Sequence, residues 1–345
     1  MERADKAVLR LAIGLALAVL LAYGLALPSP FVLCVMTVLM LSKPGPPMPL
    51  LKGMVVALLV AAVLAAGVLM VPLLEHYASV ALVLTALLLY AVFFIGLQSG
   101  SPLAIVVAIA LTVIPVAGVA DQALVPAIGT AIALGLGVGV VVGSLAHALF
   151  PDGADPAARA VPPAVAAHTA RWRAVQATLV VMPVLVLALI NPAFYLAAII
   201  KAVMLGQQAG STGARSAGRV LVGSTLTGAG MATLAWFGLA ALPTLWMLVL
   251  WMAAAALWSG ARIFGVKASR LPPSFWSNAL VTMLILLGPA IEDSVVGKDV
   301  GHASLVRVSL FIALALYAWA VVWALEGWRT ARALRFGRIN KQQDV

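Results

Sequence analysis

Twelve apolar runs, joined by short polar segments, make up most of this 345-residue chain. A helix of about 20 apolar residues is long enough to cross a hydrocarbon core that is about 30 Å thick. The sequence therefore predicts an all-α polytopic membrane protein with about twelve transmembrane helices. The approximate bounds of the runs are 9–27, 31–41, 52–73, 79–97, 103–118, 124–149, 173–190, 193–205, 217–241, 243–259, 273–290 and 304–327.

The composition excludes an ordinary soluble protein. Apolar residues make up 64% of the chain and charged residues only 9%, whereas about a quarter of a soluble protein is charged. The net charge of +10 is typical of a basic inner face that contacts anionic lipid, so we expect the lipid bilayer, and no nucleic acid, as a partner. The single cysteine, Cys34, cannot form an internal disulfide.

The runs divide into two sets of six. The only long polar insertion, 151–171, separates them, and Pro30 aligns with Pro192 at the start of the second run of each set. Because each set has an even number of runs, both sets have the same orientation in the membrane, which predicts two parallel six-helix repeats. The predicted organisation is a first repeat (1–150), a cytoplasmic linker (151–171), a second repeat (172–330) and a basic cytoplasmic tail (331–345).

Two of the runs are short, and they lie at matching places in the two repeats. The runs 31–41 and 193–205 would span only about 17 and 20 Å as helices, and each is followed by a breaker, 42–47 or 206–210. Short segments interrupted by glycine or proline in both halves of a transporter are a strong sequence indication of its binding site. We therefore expect a substrate path at this pair.

The distribution of lysine and arginine predicts the orientation. If the N-terminus is cytoplasmic, all but three of the 21 basic residues lie on the cytoplasmic side. The exceptions are Lys298 and Arg307 on the outer side and Lys201 within a run. Since lysine and arginine concentrate in cytoplasmic loops, both termini are predicted to be cytoplasmic.

Three segments resemble a known family. Segments 40–45 (MLSKPG) and 204–208 (MLGQQ) are similar to the end of the second helix in fusaric acid resistance (FUSC) proteins. Segment 216–224 (SAGRVLVGS) resembles the helix start that follows in that family, although it is shifted and imperfect. The first-repeat counterpart, 51–54, has no clear arginine, and the chain lacks the large cytoplasmic domains of longer relatives.

The resemblance implies a function. FUSC-like proteins resemble proton-driven exporters of aromatic carboxylic acids in the bacterial inner membrane, and many work with a periplasmic adaptor (a membrane fusion protein) and an outer-membrane channel. We therefore expect efflux of small aromatic or amphipathic organic anions. The alternatives are a channel-like anion conductor with the same six-helix unit and a non-transporting membrane scaffold for an adaptor protein. A homo-oligomer is left open.

Lys201 is the sharpest candidate for a functional residue. It lies nine residues after Pro192, about 13 Å into the bilayer if a helix starts there. A lysine at the centre of a membrane helix costs about 2.5–3.5 kcal/mol on insertion scales, so it usually faces a cavity or a partner. Its ammonium could bind a substrate carboxylate and take part in proton coupling. The alternative is that its long side chain reaches the cytoplasmic interface.

Several further polar residues are candidates for the substrate path. The two breakers contain four of them: Gln207, Gln208, Ser42 and Lys43. Irregular backbone at membrane depth needs polar or aqueous surroundings, so these residues could line the path. The alternative is that each breaker is an ordinary cytoplasmic loop. Asn278 could contact the substrate or form a hydrogen bond between helices. Arg307 could guide anions or pair with Asp293 or Glu292. His147 is a candidate for proton coupling.

Other chemistries lack a signature in the sequence. The segment 206–211 has no lysine where a phosphate-binding loop needs one. Four scattered histidines and one cysteine form no metal-ligand pattern, and no serine nucleophile motif occurs. We therefore expect neither an enzyme nor a protein with a metal or organic cofactor.

Overall fold

The protein is a bundle of α-helices. The structure, a computed structural model, describes residues 2–27, 29–42, 62, 64–65, 67–100, 103–151, 166–211, 214–297 and 299–343. These residues form twelve helices and no strand. In chain order they are α1 (Arg3–Gly24), α2 (Pro30–Leu41), α3 (Gly67–His76), α4 (Ala78–Ser99), α5 (Leu103–Ala120), α6 (Leu124–Leu149), α7 (Ala167–Ile190), α8 (Pro192–Ser211), α9 (Ala214–Ala241), α10 (Leu245–Ile263), α11 (Pro273–Val295) and α12 (Val300–Gln343).

Within the described parts of the chain, nine helices are long and apolar enough to cross a membrane. The shorter apolar helices are α2, α3 and the apolar part of α8, Phe194–Ala209. The chain is therefore a multi-pass membrane protein, and the predicted all-α polytopic fold is confirmed. Each predicted run has a helix at its place within the described residues, although residues 52–61 of the third run lie outside them.

The predicted break after Leu205 is wrong. Helix α8 continues through the glycines and glutamines of 206–210 and ends at Ser211, so its 20 residues span about 30 Å. Packing against α7 explains the difference, because a Cβ at Gly206 would lie 2.9 Å from the carbonyl oxygen of Ala177. Such tertiary contact outweighs the low helix propensity of glycine. In the first half, α2 ends at Leu41 and Ser42 is its C-cap, while residues 43–47 of the predicted breaker 42–47 lie outside the described residues.

Helices extend into two segments that were predicted as linker and tail, while the predicted domain bounds stay predictions. The linker was predicted as 151–171, and α7 begins within it at Ala167; residues 152–165 lie outside the described part of the chain. The described part of the predicted tail 331–345 is helical, because α12 continues as one helix to Gln343. Good helix formers such as alanine, arginine and leucine in 331–335 allow this extension.

Helix packing recurs at an interval of six helices. Within the halves, α1 packs on α2 as α7 packs on α8, α2 on α6 as α8 on α12, and α4 on α5 as α10 on α11. Between the halves, α1 packs on α10 as α7 packs on α4, and α2 on α11 as α8 on α5. This recurrence is the pattern that two parallel repeats require; their superposition about the membrane normal stays a prediction.

The interior of the bundle is formed largely by α2, α5, α8 and α11. Most of α5 and α11 is buried, and ten of the twelve residues of α2 are buried. By contrast, only about a quarter of the apolar parts of α4 and α12 is buried, 22% and 28%. Helix α8 lies between α7, α5 and α12, so its middle is enclosed by other helices. That position matters because α8 carries the only lysine predicted to lie within a span.

Candidate functional site

The side chain of Lys201 is completely buried at the middle of α8. Nine residues of the helix precede it and ten follow, so it lies about 13 Å from the helix start, near the centre of a membrane span. Its exposed fraction is 0%, and it is among the largest fully buried side chains of the described residues. The side chain therefore does not extend to a water interface as the alternative interpretation required.

The partner of Lys201 is a hydroxyl on α11. The Lys201 Nζ atom donates a hydrogen bond of 2.6 Å to Oγ1 of Thr282. That hydroxyl donates in turn to the backbone carbonyl oxygen of Asn278, also at 2.6 Å. Within the described residues, Lys201 forms no ion pair with a carboxylate. An unneutralised ammonium in a buried site is expensive, and one neutral hydroxyl offsets only a small part of that cost.

The polar site continues from α11 to α9. The Nδ2 atom of Asn278 donates to Oγ of Ser224 at 2.7 Å, and Ser224 donates to the carbonyl oxygen of Leu221 at 3.2 Å. The side chain of Asn278 is only 4% exposed, and its buried Oδ1 atom has no hydrogen-bond partner among the described residues. Lys201, Thr282, Asn278 and Ser224 therefore form one buried polar row that links α8, α11 and α9. This set is called the polar row below.

The two breaker glutamines lie on different faces of α8. Gln208, two turns after Lys201, is buried, and its Nε2 atom donates to the carbonyl oxygen of Ser274 at the start of α11. Gln207 is half-buried and faces a small space that is also bounded by Phe93 of α4 and Ala177 of α7. Of the two, Gln208 shares with Lys201 the contact between α8 and α11.

The other predicted site residues lie away from the polar row. The Arg307 guanidinium donates to the carboxylate of Asp293, which is one of the alternatives that the sequence left open for this residue. Asp293 is 11 residues beyond Thr282 on α11, about 16 Å along the helix. The Nδ1 atom of His147 bonds to the carbonyl oxygen of Gly143 one turn earlier, near the end of α6. Ser42 is half-buried at the end of α2, and Lys43 lies outside the described residues.

Thr282 and Ser224 were not among the predicted site residues. A signal for Thr282 was present, because it follows Ser274 and Asn278 at intervals of four residues. Residues four apart lie on one face of a helix, so the three polar side chains define one stripe on α11. Ser224 had no comparable signal, because its role depends on how α9 is placed against α11.

A glycine permits the close approach of α9 to the polar row. A Cβ at Gly228 would lie 2.5 Å from the carbonyl oxygen of Ala279 and 2.6 Å from Cβ of Thr282. Any larger residue at this position would therefore collide with the α11 backbone beside Thr282. Close packing through small residues is the common way in which membrane helices associate. Gly228 thus holds α9 against the helix that carries the partner of Lys201.

Comparison with known proteins gives one partial match. Residues 7–146 match the model of a family described as a protein of unknown function (DUF2955), which covers most of the first predicted repeat and less than half of the chain. No curated protein and no solved structure matches the chain. The resemblance to FUSC proteins is therefore not confirmed by a named relative, and the comparisons add no substrate to the description of a multi-pass membrane protein.

Proposed function

We propose that the protein is an inner-membrane efflux transporter for small aromatic or amphipathic organic acids, with proton coupling and a periplasmic adaptor as a partner. One observation carries the proposal. Lys201 is fully buried halfway along a membrane helix, and its only hydrogen bond among the described residues is to the neutral hydroxyl of Thr282. An apolar residue in that position would stabilise the fold better than a charge, so the charge points to a functional role.

An organic anion would supply the charge that the site lacks. At an effective dielectric constant of about 20, a carboxylate 4 Å from the ammonium gains roughly 4 kcal/mol before desolvation. This gain exceeds the contribution of a typical neutral hydrogen bond, about 1 kcal/mol. A substrate carboxylate would therefore displace Thr282 from Lys201, and Thr282 would keep its bond to the carbonyl oxygen of Asn278.

The structure corresponds to a closed conformation in this proposal. No solvent reaches Lys201, because its side chain has an exposed fraction of 0%. The described polar contacts between α8 and α11 are those of Lys201 with Thr282 and of Gln208 with Ser274. Separation of α8 from α11 would break both contacts and open a path to Lys201. The aromatic or amphipathic part of a substrate would then meet the apolar residues that surround the row.

Lys201 is also the proposed point of proton coupling. A lysine can release a proton and take it up again within the physiological range when its surroundings change, whereas an arginine stays protonated. Binding of an anion favours the protonated lysine, and release of the anion removes that preference. Anion binding and protonation of Lys201 would therefore be linked at one nitrogen atom.

The test is transport by two variants at position 201. Lys201→Met keeps the length of the side chain and removes the charge, so we expect pH-gradient-driven uptake of benzoate into inside-out vesicles to fall at least about tenfold. Lys201→Arg should bind the anion but transport it poorly. The matched control is Lys267→Met, which removes a lysine from the exposed loop after α10 and should transport normally.

The outcomes separate the competing functions. All rates are compared at equal membrane abundance of the variants. A wild-type rate for Lys201→Met would overturn the proposal. Benzoate movement that depends on Lys201 but not on the pH gradient would identify a channel-like conductor instead. No movement in the wild-type protein, despite binding of an adaptor, would identify a scaffold.

The proposed orientation is tested separately. With cytoplasmic termini, the loop between α10 and α11 is cytoplasmic and the loop between α5 and α6 is periplasmic. Cys34 is buried, so introduced cysteines can be labelled without removing it. We expect an impermeant thiol reagent added to intact cells to label Gln122→Cys and not Ala268→Cys, both of which replace exposed residues. The reverse labelling would invert the proposed topology.

A further inference from the structure

A row of exposed side chains runs along α10 and ends at an arginine. The row consists of Trp246, Leu250, Ala254 and Trp258, which are exposed, and Arg262, which is half-buried one residue before the end of the helix. Residues four apart are neighbours on a helix surface, so the row is continuous. The 19 residues of α10 span about 28 Å, close to the thickness of a hydrocarbon core. Arg262 therefore lies on the outside of the bundle, at the level of the lipid headgroups.

Two indole rings hold the guanidinium of Arg262. Its Cζ atom lies 4.0 Å from the ring centroid of Trp258 and 4.8 Å from that of Trp276 on α11. The two indoles pack edge to face, with their centroids 5.0 Å apart. Trp276 also donates from Nε1 to Oγ of Ser269 at 3.0 Å, which fixes its ring against the loop between α10 and α11. The aromatic faces thus position the cation before any ligand binds.

Most N–H groups of Arg262 are available to a ligand. Within the described residues its side chain makes one hydrogen bond, from Nη1 to the carbonyl oxygen of Trp258 at 2.7 Å, and no ion pair. Its Nε and Nη2 atoms are not buried. A cation–π contact uses the face of the guanidinium, so the N–H groups at its edge can still bind oxygen atoms.

The surroundings of Arg262 favour a ligand with a net negative charge. The segment 244–291, which contains α10, the loop and most of α11, has no aspartate or glutamate. Lys267 and Arg270 are exposed in the loop, and a backbone hydrogen bond from Lys267 folds the loop back onto the end of α10. The acidic residues at the start of α1, which packs on α10, form no ion pair with Arg262 in the described part of the chain. No described carboxylate neutralises this arginine.

We propose that Arg262, Trp258 and Trp276 form a binding site for the phosphodiester of an anionic phospholipid. The edge of the guanidinium binds two phosphate oxygens, as is common for arginine. Trp258 contacts the glycerol region, the depth at which tryptophan is enriched in membrane proteins. The acyl chains lie along the exposed row toward Leu250.

The order of these groups follows from the helix itself. Counted from Arg262, Trp258 lies about 6 Å and Leu250 about 18 Å farther into the membrane. A phospholipid has its phosphate, glycerol and acyl chains in the same order. The site is separate from the polar row, and its proposed role depends neither on transport nor on the orientation of the chain.

The chain offers a matched control for each part of the site. Arg270→Gln removes the same charge as Arg262→Gln from the same end of the bundle, and the exposed Arg270 makes no hydrogen bond or ring contact with the described residues through its side chain. Trp246→Leu removes an exposed tryptophan from the other end of the row and is the control for Trp258→Leu. Arg262→Lys keeps the charge and removes the planar fork, so it tests the site even if Arg262→Gln is unstable.

The experiment titrates the purified full-length protein, after delipidation in detergent, with phosphatidylglycerol or phosphatidylcholine of identical acyl chains. Native mass spectrometry counts the bound lipid. We expect the wild-type protein to bind phosphatidylglycerol about tenfold more tightly than phosphatidylcholine, and Arg262→Gln to weaken phosphatidylglycerol binding about tenfold. Arg262→Lys should recover only part of this loss, because an ammonium cannot form the two parallel bonds.

The aromatic part of the site should have a smaller effect than the charge. Trp258→Leu should weaken phosphatidylglycerol binding about threefold, as expected for loss of an exposed cation–π contact. The controls Arg270→Gln and Trp246→Leu should change it by no more than about twofold, because isolated charges on a surface contribute little.

The other outcomes would contradict the proposal in distinct ways. Equal affinity for the two lipids would overturn the proposed headgroup. Equal losses in Arg262→Gln and Arg270→Gln would show a general attraction to a basic surface rather than a site. Release of phosphatidylglycerol by equimolar glycerol phosphate would identify a free phosphate ester as the ligand. A dimer that persists after delipidation and dissociates in Trp258→Leu would show that a second copy, not a lipid, covers the row.

Discussion

The matching helix pairs α2/α5 and α8/α11 share a frame and differ in chemistry. Leu39 and Lys201 each lie nine residues after the proline that begins their helix. Thr112 and Thr282 each lie nine residues after the first residue of α5 and α11. All four side chains are buried. In the second half a lysine bonds to the threonine, whereas the first half has a leucine at the matching position.

The two threonines use their hydroxyls differently. Thr112 donates to carbonyl oxygens of its own helix, Ala108 at 2.8 Å and Ile109 at 3.0 Å. Thr282 makes the same kind of bond to Asn278 and also accepts the bond from Lys201. The hydroxyl in the first half is thus satisfied locally, and the hydroxyl in the second half joins two helices.

The surroundings of the two pairs differ in the same way. A small space of about 20 Å³ beside α2 is lined entirely by apolar residues from α2, α5, α6 and α8. The residue that α8 contributes to it is Ile200, next to Lys201. Helix α8 therefore presents an apolar side to the first half and its lysine to α11. The comparison teaches that one charge, rather than a symmetric pair, defines the proposed site.

The largest effect is expected when the charge is copied into the first half. Leu39→Lys would bury an ammonium in the first half of the bundle without the polar row that surrounds Lys201. Placing a lysine at the centre of a membrane helix costs about 3 kcal/mol, so the variant should show a much lower Tm in detergent and a lower yield. Leu39→Met, which conserves volume, is the control and should cost less than about 1.5 kcal/mol. An unchanged Tm for Leu39→Lys would mean that the two halves tolerate charge equally.

A second contrast concerns the glycines that let α3 and α9 approach α5 and α11. A Cβ at Gly228 would meet the α11 backbone at 2.5 Å, whereas one at Gly67 would meet the side chain of Ile114 at 3.0 Å. A side chain can move aside more easily than a carbonyl group in a helix. Gly228→Ala should therefore lower the stability by about 2 kcal/mol, which is typical of overpacking, and Gly67→Ala by less.

The measurement for the glycine pair is thermal unfolding of both variants in the same detergent. Gly230→Ala, where the added methyl group meets open space, shows the effect of alanine on α9 alone. If Gly67→Ala proved as harmful as Gly228→Ala, the close approach of α9 to Thr282 would have no special role. If Gly228→Ala lost more transport activity than its smaller amount of folded protein explains, the close packing of α9 on α11 would be connected to the site.

The sequence predicted the fold better than the site, for a physical reason. A long apolar run predicts a membrane helix directly, because the backbone N–H and C=O groups in the hydrocarbon core must form hydrogen bonds within the helix. The exception was 206–210, where glycines and glutamines predicted a break and packing on α7 kept the helix intact. Local propensity is a weak signal wherever tertiary contacts oppose it.

The site could be predicted only where one residue carried the signal. Lys201 was identifiable because a lysine within an apolar run is costly wherever it points. Its direction was not identifiable, since reaching the interface and binding another helix are both compatible with one position in a run. The hydrogen bond from Lys201 to Thr282 joins residues that are 81 positions apart in the chain. The hydrogen bond from Asn278 to Ser224 joins residues that are 54 positions apart. No local pattern encodes such contacts.

The smallest effect is expected from removal of the two hydroxyls. Thr282→Val keeps the shape of the side chain and takes away the only described hydrogen-bond partner of Lys201, so stability should fall by about 1.5 kcal/mol, as for other bonds to charged groups. Thr112→Val removes only a bond within α5 and should change stability by less than about 0.5 kcal/mol, because such bonds compete with the helix rather than stabilise it.

Thermal unfolding of both variants in the Lys201 and Lys201→Met backgrounds measures the difference. In the Met background Thr282→Val should cost as little as Thr112→Val, since the charged donor is gone. An unchanged cost in that background would show that Thr282 stabilises the bundle without regard to Lys201, and the contrast between the two halves would then be one of packing rather than of charge.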